Sequence, residues 1–598
     1  MKKITFLILT LLASISLSAQ SLSGTYKVGT ASGSDYASLS AAIADLNTKG
    51  VGGDVVLTIT SDITEAANIG FGVNTNGHSV TIRPDADEDR TITFTKATDN
   101  TSPSGHFVIG YTDLTTAWSD ANTIATNNVT IDGYAEGGST KRLKFTTASG
   151  SLLGSRIIVI LGGTSNTTIK NCTIESKSWG ASATCIAVVP RKGTAIEVAA
   201  TNVTIENNTL LSKASGTGQG IMTTNSGTLT TAKIQGFVAK NNIIEAPGRC
   251  LWLQYITGGE ISGNTVKLLQ TLSPGTINYV LWFGTGVAGN FEVFDNQFLQ
   301  SATNEASASG TFGVRTISCA SGATYNIYNN LFAGIDKLKP AGATVNMTYL
   351  FFGGNSGNIS HNTFYMPKLT DATSPGYYQA ITLSYANPII TNNIFLTDED
   401  AVANVFYGTL STGTINNNIY YLRAGTTNAR ITGTYSDFED YKAANAGKDI
   451  DSKYKDVEFV GVTDLNLTGT SVGDEDLGVP YISTMGKDIA GTDRNEKFTY
   501  AGAYQSTLPT KTYTVTVPNG TADVYVVGDF LEKDMDLVDP YKLTATANEN
   551  EFTGTFPALS TTAYKYLNGK DADYVEGDYD NETLVAGSDR TYVAGTPD

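Results

Sequence analysis

Two arginines and one glutamate are the first residues whose types and spacing suit chemistry. Arg249 heads the short apolar run RCLWLQY, and Glu245 lies four residues before it. Arg315 holds a similar place in GVRTISC, while Arg156 and Arg191 occur in earlier runs. An arginine with a carboxylate near it in sequence can take part in proton transfer. Arg249, Arg315 and Glu245 are therefore the catalytic candidates. Trp252, Tyr255 and Trp282 follow closely, with the two tryptophans 30 residues apart. Flat aromatic faces beside amides suit sugar rings, which combine apolar C–H faces with hydroxyls. These three are the candidate substrate-binding residues.

Asp85, Asp87 and Asp89 have the alternating spacing of a calcium-loop start. Arg90 stands where such a loop needs its tight-turn glycine, and Lys96 where it needs its last carboxylate. Calcium is the metal this segment would suit. Asp398 to Asp400 and Asp474 to Asp476 are further acidic clusters. His78, His106 and His361 are far apart and form no triad with a serine or cysteine. Cys172, Cys185, Cys250 and Cys319 show no CxxC spacing, so buried thiols or one or two bridges are expected.

The elements that position these residues come from a repeat. An aliphatic residue, any residue, a turn residue, Asn, any residue and a large apolar residue recur along the chain. The phrase reads VTIENNTLL, FVAKNNII, EISGNTV, FEVFDNQF, YNIYNNLF, NISHNTF, IITNNIF and TINNNIY. Its asparagines are Asn208, Asn242, Asn264, Asn296, Asn330, Asn362, Asn393 and Asn418, with intervals of 34, 22, 32, 34, 32, 31 and 25. Earlier copies place Cys172 and Gly133 at that position.

Asn and Gly tolerate the left-handed backbone of a sharp bend, and stacked amides can bond from coil to coil. Three places before the asparagine the residue is aliphatic from Ile205 to Ile415; two places after it runs from Leu210 to Tyr420, becoming aromatic. Such columns indicate coils that share one interior. A second set of strands lies between the phrases, including SRIIVILGG, RCLWLQY, YVLWFGTG, GVRTISC and TYLFFGG. The expected fold is all-β: a right-handed parallel β-helix over residues 20–508.

DYASLSAAIADLNTKG reads as an amphipathic helix at 35–50, with Leu39, Ala42, Ile43 and Leu46 on one face. It is the expected N-terminal cap. Residues 434–505 form the expected closing segment, ending in DIAGTDRNEKFTYAGAYQ. From 512 to 598 alternating strands and turns predict a small β-sandwich. Lys2, Lys3, the apolar run Ile4–Leu17 and Ser18-Ala19 read as an export signal over residues 1–19.

The opening helix and closing segment resemble those of secreted right-handed β-helix proteins of the pectate-lyase-like superfamily, over roughly residues 21–505. VYVVGDF, YKLT, FTGTF, YKYLNG and DYVEG are similar to immunoglobulin-like modules of the starch- and glycogen-binding type. Those modules carry tryptophans where this chain reads LEKDMD and DADY. The resemblance implies a polysaccharide ligand and an outer groove. In that superfamily lyases use calcium-holding carboxylates with a basic Arg or Lys, and hydrolases use paired aspartates. The strands between the asparagine phrases place no aspartates at matched positions.

A net charge of -18 disfavours nucleic acid, and no apolar stretch after the signal is long enough to span a membrane. The expectation is a secreted or cell-surface monomer that binds polysaccharide, with pectate-lyase-like turnover open. The alternative is a non-catalytic adhesin or rigid structural rod.

Overall fold

The computed structural model describes residues 20–97, 105–112, 114, 123–148, 156–177, 183–192, 197–212, 218–224, 231–269, 277–301, 310–335, 343–354, 356–368, 377–384, 387–398, 402–410, 413–423, 430–433, 435–532, 541–568, 577–580, 583–586 and 590–591. The export-signal reading lies outside them.

Three long sheets run the length of the repeat region, and every pairing within them is parallel. The first has 13 strands, from Leu22–Val28 to Ile415–Asn416; the second has 12, from Ile69–Phe71 to Arg430–Thr432. The third has 13 strands, from Ile63–Glu65 to Lys453–Tyr454. Each coil gives one strand to each sheet. This is the expected parallel β-helix.

The two apolar columns stack in register. Ile205, Ala239, Ile261, Val293, Ile327, Ile359, Ile390 and Ile415 pair in succession on the first sheet. Leu210 through Tyr420 do so on the third. Its aromatic end stacks Phe298, Phe332, Phe364, Phe395 and Tyr420 at centroid separations of 5.4, 4.4, 5.0 and 5.3 Å. All are buried in one continuous core.

Between these columns the asparagines are wholly buried. The Asn296 side chain shows why that is tolerated. Its Oδ1 accepts from the backbone N–H of Asn264 at 3.0 Å and from Asn264 Nδ2 at 2.9 Å. Its Nδ2 donates to Ile261 O at 2.8 Å, Phe294 O at 2.9 Å and Asn330 Oδ1 at 3.0 Å. The same pattern runs from Asn208 to Asn418. Each ladder amide from Asn208 to Asn418 is thus satisfied by its neighbours.

The residue before each ladder asparagine makes the bend. Asn207, Asn241, Gly263, Asp295, Asn329, His361, Asn392 and Asn417 have φ between 51° and 63°. The two jobs given to asparagine are therefore split between adjacent residues. At its last rung the ladder meets Ser452 and Asp449. Ser452 Oγ accepts from Asn418 N at 2.8 Å, and buried Asp449 accepts from Ser452 Oγ, Tyr420 OH and Tyr441 OH at 2.6, 2.9 and 2.6 Å.

Both ends of the core are closed. Helix α1 (Leu39–Lys49) buries Leu39, Ala42, Ile43 and Leu46 over the first coil. Ser38 caps it, and buried Glu65 accepts from Leu39 N at 2.7 Å, Ser40 N at 3.2 Å and Ser40 Oγ at 2.6 Å. This places a carboxylate at the helix N-terminus, where the dipole favours it. At the other end α2 (Phe438–Ala444), capped by Asp437, turns Phe438 and Tyr441 inward.

The closing segment then runs back along the outside of the third sheet. Leu465 and Ala503 bury Leu331, Ala333, Tyr365 and Leu396 there. Beyond it lie two three-stranded antiparallel sheets sharing a core of Tyr513, Val526, Phe530, Tyr541, Phe556 and Tyr564. Leu531 joins this unit to Ile394, Ile419, Leu477 and Tyr500. Ser560 N and Oγ bond Glu475 at 2.6 and 2.8 Å.

Asn296→Ala orphans several buried groups at once and should lower stability by on the order of 3 kcal/mol. Thr204→Ala, on the outer face of the first sheet, should change it by less than about 0.5 kcal/mol. Denaturant midpoints decide: equal midpoints for the two variants would remove the ladder's structural role.

Candidate functional site

The strands of the second sheet break the simple alternation of inward and outward residues. In each, two consecutive residues enter the core: Cys185 and Ile186, Cys250 and Leu251, Val280 and Leu281, Tyr349 and Leu350. Cross-strand register passes over the first of each pair, as at a bulge. Residues three apart therefore both face outward.

Two outer columns result. One runs Arg156, Thr184, Gln219, Arg249, Tyr279, Arg315, Thr348, Gln379, Asn404 and Arg430. The other runs Val159, Ala187, Met222, Trp252, Trp282, Ser318, Phe351, Thr382 and Tyr407. At the N-terminal end the second column is apolar and covered, with Val108, Val159, Ala187, Val189 and Met222 in one outer cluster. Trp252 packs against its edge.

The site lies where that cover gives way. Trp252 and Trp282 stack at 5.3 Å with planes 6° apart, and Tyr279 stacks on Trp282 at 4.7 Å. The Arg249 guanidinium lies 4.1 Å from the Trp252 centroid and 4.7 Å from that of Trp282. Arg315 lies 3.9 Å over Phe351. Half-burial pushes the Arg249 guanidinium below its ordinary range. The Trp252 indole nitrogen is buried without a partner, as is Asn278 Nδ2. The aromatic rings hold the two guanidiniums in place, and no described carboxylate pairs with either.

Charge sets this face apart. The 12 strands of the second sheet contain four arginines and neither an acidic residue nor a lysine. The first sheet instead alternates signs outward, with Lys170 3.2 Å from Asp132 and Lys240 3.4 Å from Glu206.

The sequence candidates separate accordingly. Arg249, Trp252 and Trp282 come together, and Arg315 stands two coils on. Glu245 does not join them: it lies on the third sheet, between Leu211 and Lys267. Tyr255 makes a corner with φ 50° beside Gly286, apart from the indole stack. Of the aromatic residues in these strands, Phe283, Phe352, Phe406 and Tyr349 face the core, and Tyr385 lies outside the described residues. Tyr279 and Phe351 are additions to the site. Their signal was a run of aromatic residues in strands without acids.

The Asp85 to Asp89 segment has other partners. Arg90 Nη2 is 2.9 Å from Asp85 and 2.9 Å from Glu88. Arg142 reaches Asp87 at 2.8 Å and Asp89 at 3.1 Å. These carboxylates are matched by guanidiniums rather than arranged around a cation, and the described residues form no group suited to a metal. Asp398 and Asp474 likewise meet Arg423 and Lys455. All four cysteines are free and buried. No helix of the described residues is long and apolar enough to cross a membrane.

A second group of titratable residues lies under the closing segment. Buried Arg494 donates to Tyr500 O at 3.1 Å, Gly502 O at 2.9 Å and Asn329 Oδ1 at 2.8 Å. Burial lowers it to about 10. Asp488 accepts from the N–H groups of Ala490, Thr492 and Gln505 at 2.9, 2.8 and 2.8 Å. Asp295, in the bend column, is raised to about 6 by burial, against Asn329, with Asp488 and Arg494 also acting on it. His361 is buried, and burial and Arg494 hold it below the usual imidazole range. These groups fasten the strap; they line no open face.

No family model matches the chain, and no curated protein does. Among solved structures it is similar to pectate lyase Pel9A, with TM-score 0.38 and 12% identity over 82% of this chain and 98% of that one. A rhamnogalacturonan lyase gives 0.37 and 12% over 73% and 91%. PfbA, a surface adhesin of Streptococcus pneumoniae, gives 0.30 and 14% over 72% and 94%.

An ordinary aspartate titrates near about 4. Folded Asp295 titrates at about 6, so between those values the folded chain holds more protons than the unfolded one. Its contribution is then favourable at low pH and is lost as pH rises through that window. Asp295→Asn, the residue at most other copies of this bend, should stabilise the chain at neutral pH by on the order of 1 kcal/mol after allowance for part exposure. The gain should vanish near pH 4; thermal melts across the range would show otherwise if it persisted there.

Proposed function

We propose that the protein binds an extended polysaccharide along the outer face of the second sheet, outside the cytoplasm or at the cell surface. The observation that carries this reading is the charge of these strands. On a chain of net charge -18, the strands of the second sheet hold four arginines and no acidic residue, and neither Arg249 nor Arg315 pairs with a described carboxylate. Arg249 and Arg315 offer planar forks of donors, fixed by aromatic rings, to the carboxylates or sulfates of a glycan. Trp252, Tyr279 and Trp282 supply apolar edges beside them. The export-signal reading of residues 1–19 supports the location.

Binding without turnover is favoured over a pectate-lyase-like reaction. Glu245, the carboxylate expected beside Arg249, belongs to another sheet. The indoles also cover each other's faces, so they form a fixed platform rather than a clamp that closes on one sugar ring. A rigid rod with capped ends and a glycan-binding side is the resulting picture, close to the adhesin alternative.

A panel of neutral and acidic polysaccharides, read by affinity electrophoresis, tests it. An acidic chain should be retained, and Arg249→Ala should weaken retention about tenfold, or about 1.4 kcal/mol. Melting temperature controls for folding. Appearance of unsaturated product in the ultraviolet would overturn the non-catalytic reading. Indifference of binding to Arg249→Ala would overturn the site.

A further inference from the structure

We infer that the ligand of this face is a polysaccharide carrying its acid groups on every second residue. The inference rests on the glycan reading above and goes further, to the charge pattern of the chain.

Arg249, Tyr279 and Arg315 are direct register partners on three consecutive coils. Parallel strands lie about 4.8 Å apart, so the two guanidinium-bearing positions are about 10 Å apart along the axis. One coil is close to the length of one sugar residue in an extended chain. A glycan lying along the axis therefore meets a cation, a phenol and a cation on three successive residues. On either side the column continues with Gln219 and Thr348, both uncharged and buried.

The spacing is held, not adaptable. Arg249 is pinned over Trp252 and Trp282, and Arg315 over Phe351. Neither side chain can swing to the middle coil without leaving its ring. Pre-organisation of this kind favours the ligand whose charges already match. A chain with an acid on every residue sets a carboxylate against Tyr279 when consecutive residues turn the same face to the sheet, and Tyr279, stacked on Trp282, offers a single O–H donor. That carboxylate would be partly desolvated without a cation, which is costly. Alternation is selected by the penalty at the middle coil as much as by the gain at the outer two.

The test uses the full chain and four polymers: unsulfated chondroitin, κ-carrageenan, polygalacturonate and neutral dextran. Chondroitin carries a uronate and κ-carrageenan a sulfate on alternate residues, polygalacturonate carries a uronate on each, and dextran has no acid group. Isothermal titration should give at least tenfold tighter binding per site for the better-bound alternating chain than for polygalacturonate. A preference for κ-carrageenan over chondroitin identifies sulfate as the anchored group, and the reverse identifies the carboxylate. Tyr279→Arg should fill the gap and shift preference toward polygalacturonate. Arg315→Gln, a milder change, should cut affinity for the alternating chains about tenfold and narrow the ratio. Equal or tighter binding of polygalacturonate by the unaltered protein overturns alternation and leaves the glycan site standing. Failure to bind any acidic polymer overturns both.

Discussion

The buried amide ladder is the constraint on which the rest of this molecule depends. Each coil could slide against the next, and a slip of one residue would turn its core face outward. Apolar packing alone resists this weakly, because Ile, Val and Phe interchange along the columns. The amide of Asn296 has no such tolerance. It must find the carbonyl of Ile261, the N–H of Asn264 and the amide of Asn330 together. Unmet, each group would sit in an apolar interior at a cost of about 1–3 kcal/mol. Register is therefore set from inside, and the outer face inherits it. Arg249, Tyr279 and Arg315 lie in one line because the asparagines behind them do.

The three outer faces then diverge. The first sheet carries alternating charges that pair across coils, as Lys240 does with Glu206. The third is apolar outside as well as inside towards its C-terminal end, and the closing segment lies along it. That strap is fastened by Arg494, whose buried guanidinium bonds Asn329 in the bend column and the strap's own carbonyls. Among the described residues, the central coils of the second sheet form no ion pair, and their arginines rest on aromatic rings instead. Helix α1 and helix α2 close the ends, so the unpaired strand edges of the terminal coils are not left to recruit other chains.

What could be read from the sequence follows from how local each signal is. The ladder phrase spans six residues, so its bend, its amide and its flanking apolar residues announce themselves together. The α1 face was legible for the same reason. The site was less so, because its geometry depends on partners a coil or more away. Glu245 is four residues from Arg249, yet a corner sends it to a different sheet. Asp87 and Asp89 looked like a cation loop until Arg142, some 55 residues on, supplied their partner. Gly133 stands in a ladder place for a reason no spacing reveals: a Cβ there would come within 1.8 Å of Asn171 O. Asp449, which terminates the ladder, belongs to no repeat and so had no pattern to betray it.

Arginine rather than lysine on the second sheet is the remaining choice that needs a physical reason. The chain's net charge repels polyanions at long range, but beyond about 8 Å salt screens that repulsion. Recognition must then come from contacts made at the surface. An ammonium on a flexible stem would be strongly hydrated and free to turn toward acids on neighbouring sheets. A guanidinium is planar and weakly hydrated, and it lies flat on an indole or a phenyl ring while its donors point away. Arg249 over two tryptophans and Arg315 over Phe351 take that form. The aromatic column is thus not a set of separate sugar platforms. It is the support that keeps two cations in fixed places, at a separation which the ladder beneath them determines.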